Sequence, residues 1–113
     1  VHMSSGALRI PLFPLSGAIL FPRSQLPLHI FEPRYRTMVQ DASSGGGLIG
    51  MIQPQGSEDE LQHPSLFRIG CVGEIVGMEE LEDGRFNIVL QGTHRFRLIA
   101  EADVGTPYRQ ADV

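Results

Sequence analysis

The sequence predicts a mainly β domain of the α+β class, in which short strands curl into a barrel or pseudobarrel and one short helix plugs or flanks it. Apolar and polar residues alternate over several short segments, as they do in half-buried strands. Glycine and proline, 13 and 8 of 113 residues, separate these segments. Only one segment has helical spacing. The length and the 42% apolar content indicate one globular domain.

The first two predicted strands are residues 8–13 (LRIPLF) and 26–31 (LPLHIF), because apolar side chains alternate along both. Pro11 suits an edge strand or a bulge, since proline cannot donate a ladder hydrogen bond. In the second strand, His29 and Phe31 lie on the face opposite the leucines. Between the strands, PLSGAILFPRSQ is interpreted as an irregular turn that contains a short strand.

The helix is predicted within EPRYRTMVQDASSGGG. Pro33 favours a first helical turn, and Glu32 lies near the positive end of the helix dipole. The SSGGG run ends the helix. Apolar residues at the spacing of one helical face are Tyr35, Met38, Val39 and Ala42. Glu32 and Arg36, four residues apart, are expected to pair across one turn, and structural support is favoured over ligand binding as their role.

The rest of the chain predicts further strands. GLIGMIQ is followed by a polar loop with the acids Glu58 to Glu60, and β segments of short spacing begin at Phe67. Asp83-Gly84 predicts a hairpin between two of them. One face of the next strand carries Phe86, Ile88 and Leu90, followed by Phe96 and Leu98 beside His94. Bending or close backbone approach is predicted at Gly70, Gly73 and Gly77.

Charge composition excludes several functions. The net charge is −4 and the pI is near 5.5, so the chain offers nucleic acid no broad basic footprint. All nine basic residues are arginine, which excludes a lysine nucleophile, a lysine base and a phosphate-binding lysine within these residues. No apolar stretch has membrane-spanning length and no signal peptide is evident, and Cys71 lies in an apolar run. We therefore expect a cytoplasmic protein with no membrane partner.

The motifs of common catalytic and metal sites were not found. Neither a P-loop nor a GxSxG elbow occurs, and Ser43-Ser44 is better explained as a helix stop than as a nucleophile. The four histidines and Cys71 lack the close spacing of zinc ligands, and the acids at 79–83 lack the spacing of a calcium loop. We expect no catalytic residues, no cofactor and no metal.

Exposed apolar and basic side chains are the candidate partner-binding residues. Arg95 and Arg97 share a strand face and could clamp a carboxylate or a peptide terminus, although two arginines on a solvated sheet are ordinary. Three phenylalanines could meet apolar segments of a partner, while core packing is favoured for any single one. The candidates are Phe13, Phe21, Phe31, Arg95 and Arg97.

Six blocks stand out between Ile10 and the last residue: PLFPL at 11–15, LFP at 20–22, LPLHIFEPRYRTMV at 26–39, FRIGCVGEI at 67–75, DGRFNIVLQGTHRFRL at 83–98 and PYRQADV at 107–113. In this order they resemble the LON amino-terminal domain family. The IFEPRY and DGR…GTHRFR blocks together are the most specific. Their motif residues are Glu32, Pro33, Arg34, Tyr35, Arg36, Asp83, Gly84 and Gly92.

The resemblance implies a PUA-like β pseudobarrel and a non-catalytic module for protein or peptide binding, with unfolded or tagged protein segments as partners. In Lon proteases the domain precedes an ATPase and a serine-lysine protease. A structural or oligomerisation module with weak self-association, or one that contacts an absent protease or helical domain, is the alternative. RNA binding follows only by analogy with other PUA-like folds.

The resemblance also implies domain boundaries. Residues 1–7 are interpreted as a cloning remnant and a flexible start, and residues 8–113 as the β-rich subdomain of a LON amino-terminal domain. The helical subdomain that usually follows in the family is expected to be missing. The SSGGG run and the acidic loop favour a stand-alone member over the front of a Lon protease.

Overall fold

The computed structural model describes residues 8–17, 19–55, 66–102 and 104–113. The predicted acidic loop with Glu58 to Glu60 lies outside these residues. Within them, the chain forms seven strands and one helix: β1 Arg9–Pro14, β2 Gln25–Ile30, α1 Pro33–Gly45, β3 Leu48–Ile52, β4 Ile69–Glu80, β5 Phe86–Arg97, β6 Ala100–Ala102 and β7 Gln110–Asp112.

The strands form one sheet in the order β2-β5-β4-β3-β1-β7-β6. Only β1 and β3 pair in parallel, and the other neighbours are antiparallel. The longest pair is β4 with β5, twelve residues each. This mainly β fold with one helix after the second strand confirms the predicted PUA-like pseudobarrel.

The interior position of β1 corrects the prediction for Pro11. The strand pairs with β7 over residues 9–11 and with β3 over residues 12–14, so it is not at an edge. The amides of Leu8 and Leu12 donate to Val113 and Arg109, the residues that flank β7. Because backbone amides alternate in direction, the nitrogen of Pro11 faces away from β7. The missing donor therefore costs no hydrogen bond to β7, and pairing with β3 begins only at Leu12.

The α1 helix follows its predicted pattern. Pro33 occupies its start, and the four residues predicted for its apolar face are buried. It ends at Gly45, and Gly46 and Gly47 adopt positive φ values of 128° and 78°. These conformations are easily reached by glycine, which explains how the SSGGG run ends the helix.

Arg36 joins α1 to the β4–β5 hairpin, and this corrects its predicted pairing with Glu32. Its Nε donates to the carbonyl of Gly84 at 3.0 Å and its Nη2 to that of Asp83 at 2.8 Å. Glu32 instead accepts a hydrogen bond from Nε of Arg34 at 3.0 Å. Arg34 also lies over the ring of Tyr35, 4.6 Å from its centroid. The two most specific sequence blocks thus meet through Arg36.

The hairpin turn predicted at Asp83-Gly84 is confirmed. The amide of Leu81 donates to Arg85, and that of Gly84 donates back to Leu81. Gly84 has φ of +88°, as in a turn closed by a left-handed residue. Asp83 accepts a hydrogen bond from the backbone of Arg85 at 3.2 Å, which lowers the pKa of its carboxyl.

Register shifts occur where glycines were predicted to bend β4. One lies between Val72 and Gly73, and the other between Ile75 and Gly77. Gly70 marks close approach, since a Cβ there would overlap the carbonyl of Met51 and the ring of Phe96. These positions curl the long ribbon around the core.

Buried apolar side chains form two clusters. The predicted face of β5 contributes to the larger one, and Phe96 and Leu98 to the smaller, while His94 is exposed. The larger cluster contains Phe13, Leu20, Ile30, Tyr35, Met38, Val39, Ala42, Ile49, Met51, Cys71, Phe86, Ile88, Leu90 and Tyr108. The smaller contains Ile10, Leu12, Ile52, Leu66, Val72, Phe96, Leu98 and Ala111.

Tyr108 fixes the end of the chain to the helix. Its hydroxyl donates to Oδ2 of Asp41 at 2.7 Å while its ring is buried. Burial, with the neighbouring carboxylate, raises the pKa of Tyr108 from 10 to about 12. The folded state therefore favours the neutral form of the Tyr108 phenol.

Replacing Gly84 by alanine should destabilise the fold by about 1–3 kcal/mol, because the left-handed backbone disfavours a Cβ and that Cβ would overlap Arg36. Gly45→Ala is the matched control, since nothing lies near its Cβ position. Urea denaturation should show a lower midpoint for Gly84→Ala alone. Equal midpoints for the two variants would contradict the assigned role of the hairpin turn.

Tyr108 should also make stability depend on alkaline pH. Its folded pKa of about 12 exceeds the value of 10 for an unperturbed tyrosine. Its contribution is therefore fully present below pH 10 and is lost as the pH rises through 12, with a magnitude of about 2–3 kcal/mol. Urea titrations of wild type and Tyr108→Phe across this range should converge as the pH rises. A constant difference would contradict the assignment.

Candidate functional site

An apolar groove lies between the segment after β1 and the sheet. We call it the Phe21 groove. It has a cavity volume of about 160 Å³. Its walls come from the turn before β2, from the end of β3, from the start of β4 and from the end of β5. The start of β4 and the end of β5 pair with each other. It is lined by Ile19, Leu20, Phe21, Met51, Ile52, Gln53, Ile69, Gly70, Cys71 and Arg95.

A tight turn over residues 21–24 holds Phe21. Pro22 occupies the second position and Arg23 the third, where it adopts φ of 71°. This is the arrangement of a type II turn, closed by the amide of Ser24 donating to the carbonyl of Phe21 at 3.0 Å. The hydroxyl of Ser24 accepts from the amide of Phe21 at 3.0 Å and donates to its carbonyl at 2.7 Å. No strand forms in the described residues of this connection, so the short strand predicted there is wrong.

Gly92 lets this turn lie directly on β5. Its carbonyl accepts from the amide of Arg23, and its amide donates to the carbonyl of Ser24, both at 2.8 Å. A Cβ on Gly92 would overlap the carbonyl oxygen of Phe21. Only a residue without a side chain permits this contact. The sequence block that contains Gly92 therefore has a physical role in placing Phe21.

Leu20 anchors the turn while its neighbours stay exposed. Its side chain is buried, and a Cβ on Gly73 would lie 2.9 Å from its Cδ2. Ile19 and Phe21 flank it with 60% and 55% of their surface exposed. Alternation along the chain places one side chain in the core and two at the groove.

The opposite wall is formed where β4 begins and β5 ends. Ile69 is 48% exposed and pairs with Arg97, while Cys71 is buried and pairs with Arg95. Directly paired residues lie on the same face of a sheet, so the two arginines share a face with Ile69. Burial raises the pKa of the Cys71 thiol, which keeps the sulfur in its less nucleophilic form.

The predicted partner-binding residues divide into three groups. Phe21 and Arg95 meet at the groove, with Arg97 next to it. Phe13 is only 5% exposed and its ring lies 4.4 Å from that of Tyr35, so it packs in the core, as was favoured for any single phenylalanine, and does not face a partner. The alternation of β1 faces it toward the helix. Phe31 is 59% exposed but lines a different cavity, of about 90 Å³, near the start of α1.

Of the ten described residues that line the groove, sequence reasoning predicted only Phe21 and Arg95. The two exposed apolar residues that it missed are Ile19 and Ile69. The sequence predicts a strand that contains Ile69, but the face of the sheet on which this side chain lies was not predicted. Its spacing of two from Phe67 and Cys71 was the available signal, because it gives these three residues one face of the strand. For Ile19, the signal was its spacing from Phe21 across the buried Leu20.

A larger depression of about 510 Å³ lies on the outer face of β2, β5 and β4. A polar row crosses it, in which Nδ1 of His29 is 2.8 Å from Oδ1 of Asn87 and Nδ2 of Asn87 donates to Glu79 at 3.1 Å. These three side chains hydrogen-bond to one another in a row, so none of them is left without a partner for a ligand to satisfy.

Two features are absent from the described part of the chain. It contains no group of three or more histidine, cysteine, aspartate or glutamate side chains placed to hold a metal ion. It also contains no helix that is long and apolar enough to cross a membrane.

Comparisons with known proteins agree with this architecture. A sequence profile described as the ATP-dependent protease La (LON) substrate-binding domain matches residues 9–113. A Lon protease of Flavobacterium johnsoniae is 32% identical over 107 residues, which are 92% of this chain and 13% of that protein. A Lon protease of Parabacteroides distasonis is 34% identical over 91 residues, 79% of this chain and 11% of that protein. The chain thus spans about an eighth of these curated relatives.

Solved structures give the same result. The Lon N-terminal domain protein from Xanthomonas campestris matches with a TM-score of 0.70 and 27% identity, over 92% of this chain and 57% of that one. The N-terminal domain of the Mycobacterium avium complex Lon protease also has a TM-score of 0.70, at 14% identity, over 92% of this chain and 52% of that one, and supports the fold alone. The chain belongs to the LON substrate-binding domain family.

Proposed function

We propose that this chain is a non-catalytic protein-binding module that captures exposed apolar segments of other proteins in the Phe21 groove. One observation carries the proposal. Three large apolar side chains, Ile19, Phe21 and Ile69, remain about half exposed around a single groove. Clustered apolar exposure of this kind marks interaction surfaces on soluble proteins.

The groove suits binding because its apolar groups are held in place before a partner arrives. The turn at residues 21–24 is closed by three hydrogen bonds, and its backbone is fixed on Gly92 by two more. A rigid apolar surface loses little conformational entropy on association, so more of the burial energy contributes to affinity. Buried Leu20 and Cys71 form the floor beneath it.

The chemistry of the groove favours binding over covalent catalysis. Its thiol, Cys71, is buried with a raised pKa. Arg95, the one charged side chain among the described lining residues, is a poor proton carrier because it stays protonated, and its charge suits recognition of an anionic partner group.

Family membership supports a role in substrate selection for ATP-dependent proteolysis. The matching relatives are Lon proteases, and the profile describes a substrate-binding domain. Because the chain spans 13% of the first relative, the protease activity is a property of those larger proteins. We propose that this chain contributes the recognition step, with unfolded or tagged protein segments as its partners and the cytoplasm as its compartment.

Replacing Phe21 by aspartate should weaken binding of an unfolded protein by about tenfold, since losing half the burial of a phenylalanine costs about 1–1.5 kcal/mol. The probe is fluorescein-labelled lactalbumin that has been reduced and alkylated so that it stays unfolded. Fluorescence anisotropy measures its affinity for the chain.

Phe31→Asp is the matched control, because Phe31 is exposed to the same degree but lines another cavity. Thermal unfolding of both variants checks that each folds. A larger loss for Phe31→Asp than for Phe21→Asp, or no binding by wild type, would contradict the proposed site. Light scattering of the unliganded chain over a concentration series tests the alternative, since self-association abolished by Phe21→Asp would identify the groove as an oligomer contact.

A further inference from the structure

We propose that the Phe21 groove selects apolar segments that are flanked by acidic side chains. This inference rests on the proposed function and adds a charge preference to it. The preference comes from the arginines around the groove, four of the nine in the chain. They are Arg23, Arg68, Arg95 and Arg97.

The distribution of arginine partners separates these four from the rest. In the described part of the chain, the remaining five are satisfied by other groups of the protein. The ion pairs are Arg9 with Asp112, Arg34 with Glu32, Arg85 with Asp83 and Arg109 with Glu101. Arg36 donates to two backbone carbonyls of the hairpin. Within the same residues, the side chains of the four groove arginines form no ion pair.

Three of the segments that form the groove and its rim contain no acids. Residues 19–25, 66–72 and 92–98 contain these four arginines and His94, but no aspartate or glutamate. The segment that follows Gln53 leads into Glu58, Asp59 and Glu60, which lie outside the described residues. The opposite end of the β4–β5 ribbon carries Glu79, Glu80, Glu82 and Asp83. Charge is therefore segregated along the ribbon of a protein with a net charge of −4. Among the described residues, the groove end of the ribbon is the basic end, which favours anionic groups there.

Arg95 connects this charge to the groove, because it is the one charged residue among the described residues that line it. Arg97 lies two residues further along the same strand face, about 6.6 Å away at the rise of an extended strand. Arg68 adjoins Ile69, and Arg23 is the third residue of the turn that holds Phe21. Arginines spaced in this way around the groove match a partner segment that has several acidic side chains on either side of its apolar residues. A single terminal carboxylate would meet only one or two of the arginines.

The test uses three sets of short, fluorescein-labelled peptides that share one apolar core flanked by glutamates, glutamines or lysines, each with an amidated C-terminus. A fourth peptide has glutamine flanks and a free C-terminal carboxylate. Anisotropy gives each Kd at about 50 mM and about 500 mM NaCl, because high salt screens exposed charges. The glutamate peptide should bind about tenfold tighter than the glutamine peptide at low salt, and the advantage should shrink at high salt.

Arg95→Gln should remove several-fold of that advantage, measured for each variant as the ratio of its Kd for the glutamine peptide to its Kd for the glutamate peptide. Arg85→Gln is the matched control, because it removes an exposed arginine from the other end of the same ribbon. Equal affinities for glutamate and glutamine peptides, or equal effects of the two variants, would overturn the inference. So would a free C-terminus that matches the glutamate flanks.

The outcomes also separate this inference from the function on which it rests. If the glutamine peptide binds in a Phe21-dependent way but glutamates add nothing, the proposed function stands and the charge preference fails. If no peptide binds, both fail.

Discussion

The close contact between Gly92 and the backbone of Phe21 is the constraint on which the site depends. The turn at residues 21–24 is not itself part of a strand. Two hydrogen bonds to Gly92, in the middle of β5, hold it on the sheet. Any side chain at position 92 would displace the carbonyl of Phe21. Because of this contact, the turn that carries the exposed ring of Phe21 is hydrogen-bonded directly to β5, which belongs to the longest strand pair of the sheet.

The same strand connects the site to the rest of the fold. β5 pairs with β2 on one side and β4 on the other, and its hairpin with β4 is held to the helix by Arg36. Register shifts beside Gly73 and Gly77 bend β4 so that its start lies under the turn that holds Phe21. The groove is therefore a consequence of how glycines curl one long ribbon, and the arginines at the open end of that ribbon surround it.

Local sequence patterns predicted the helix and most strands, but they could not predict contacts between residues that are far apart in the chain. Periodicity predicted the buried face of α1 and the alternation in β2 and β5, because these depend on neighbours within one element. It could not assign Arg36 to the hairpin carbonyls, since that partner is 47 residues away. Phe13, Phe21 and Phe31 look alike as residues, but only tertiary packing buries the first and separates the other two. Pro11 was misplaced for the same reason, because the change of partner strand along β1 is invisible locally.

The most direct test of the account is a two-dimensional amide NMR titration of the isotopically labelled chain with the glutamate-flanked apolar peptide. The account predicts that the largest shifts fall on Ile19, Phe21, Ile69 and Arg95 and saturate together, while Phe31 and the polar row at Asn87 remain unchanged. Shifts centred on Phe31 or on the outer face of β2 and β5, with the groove unaffected, would contradict it.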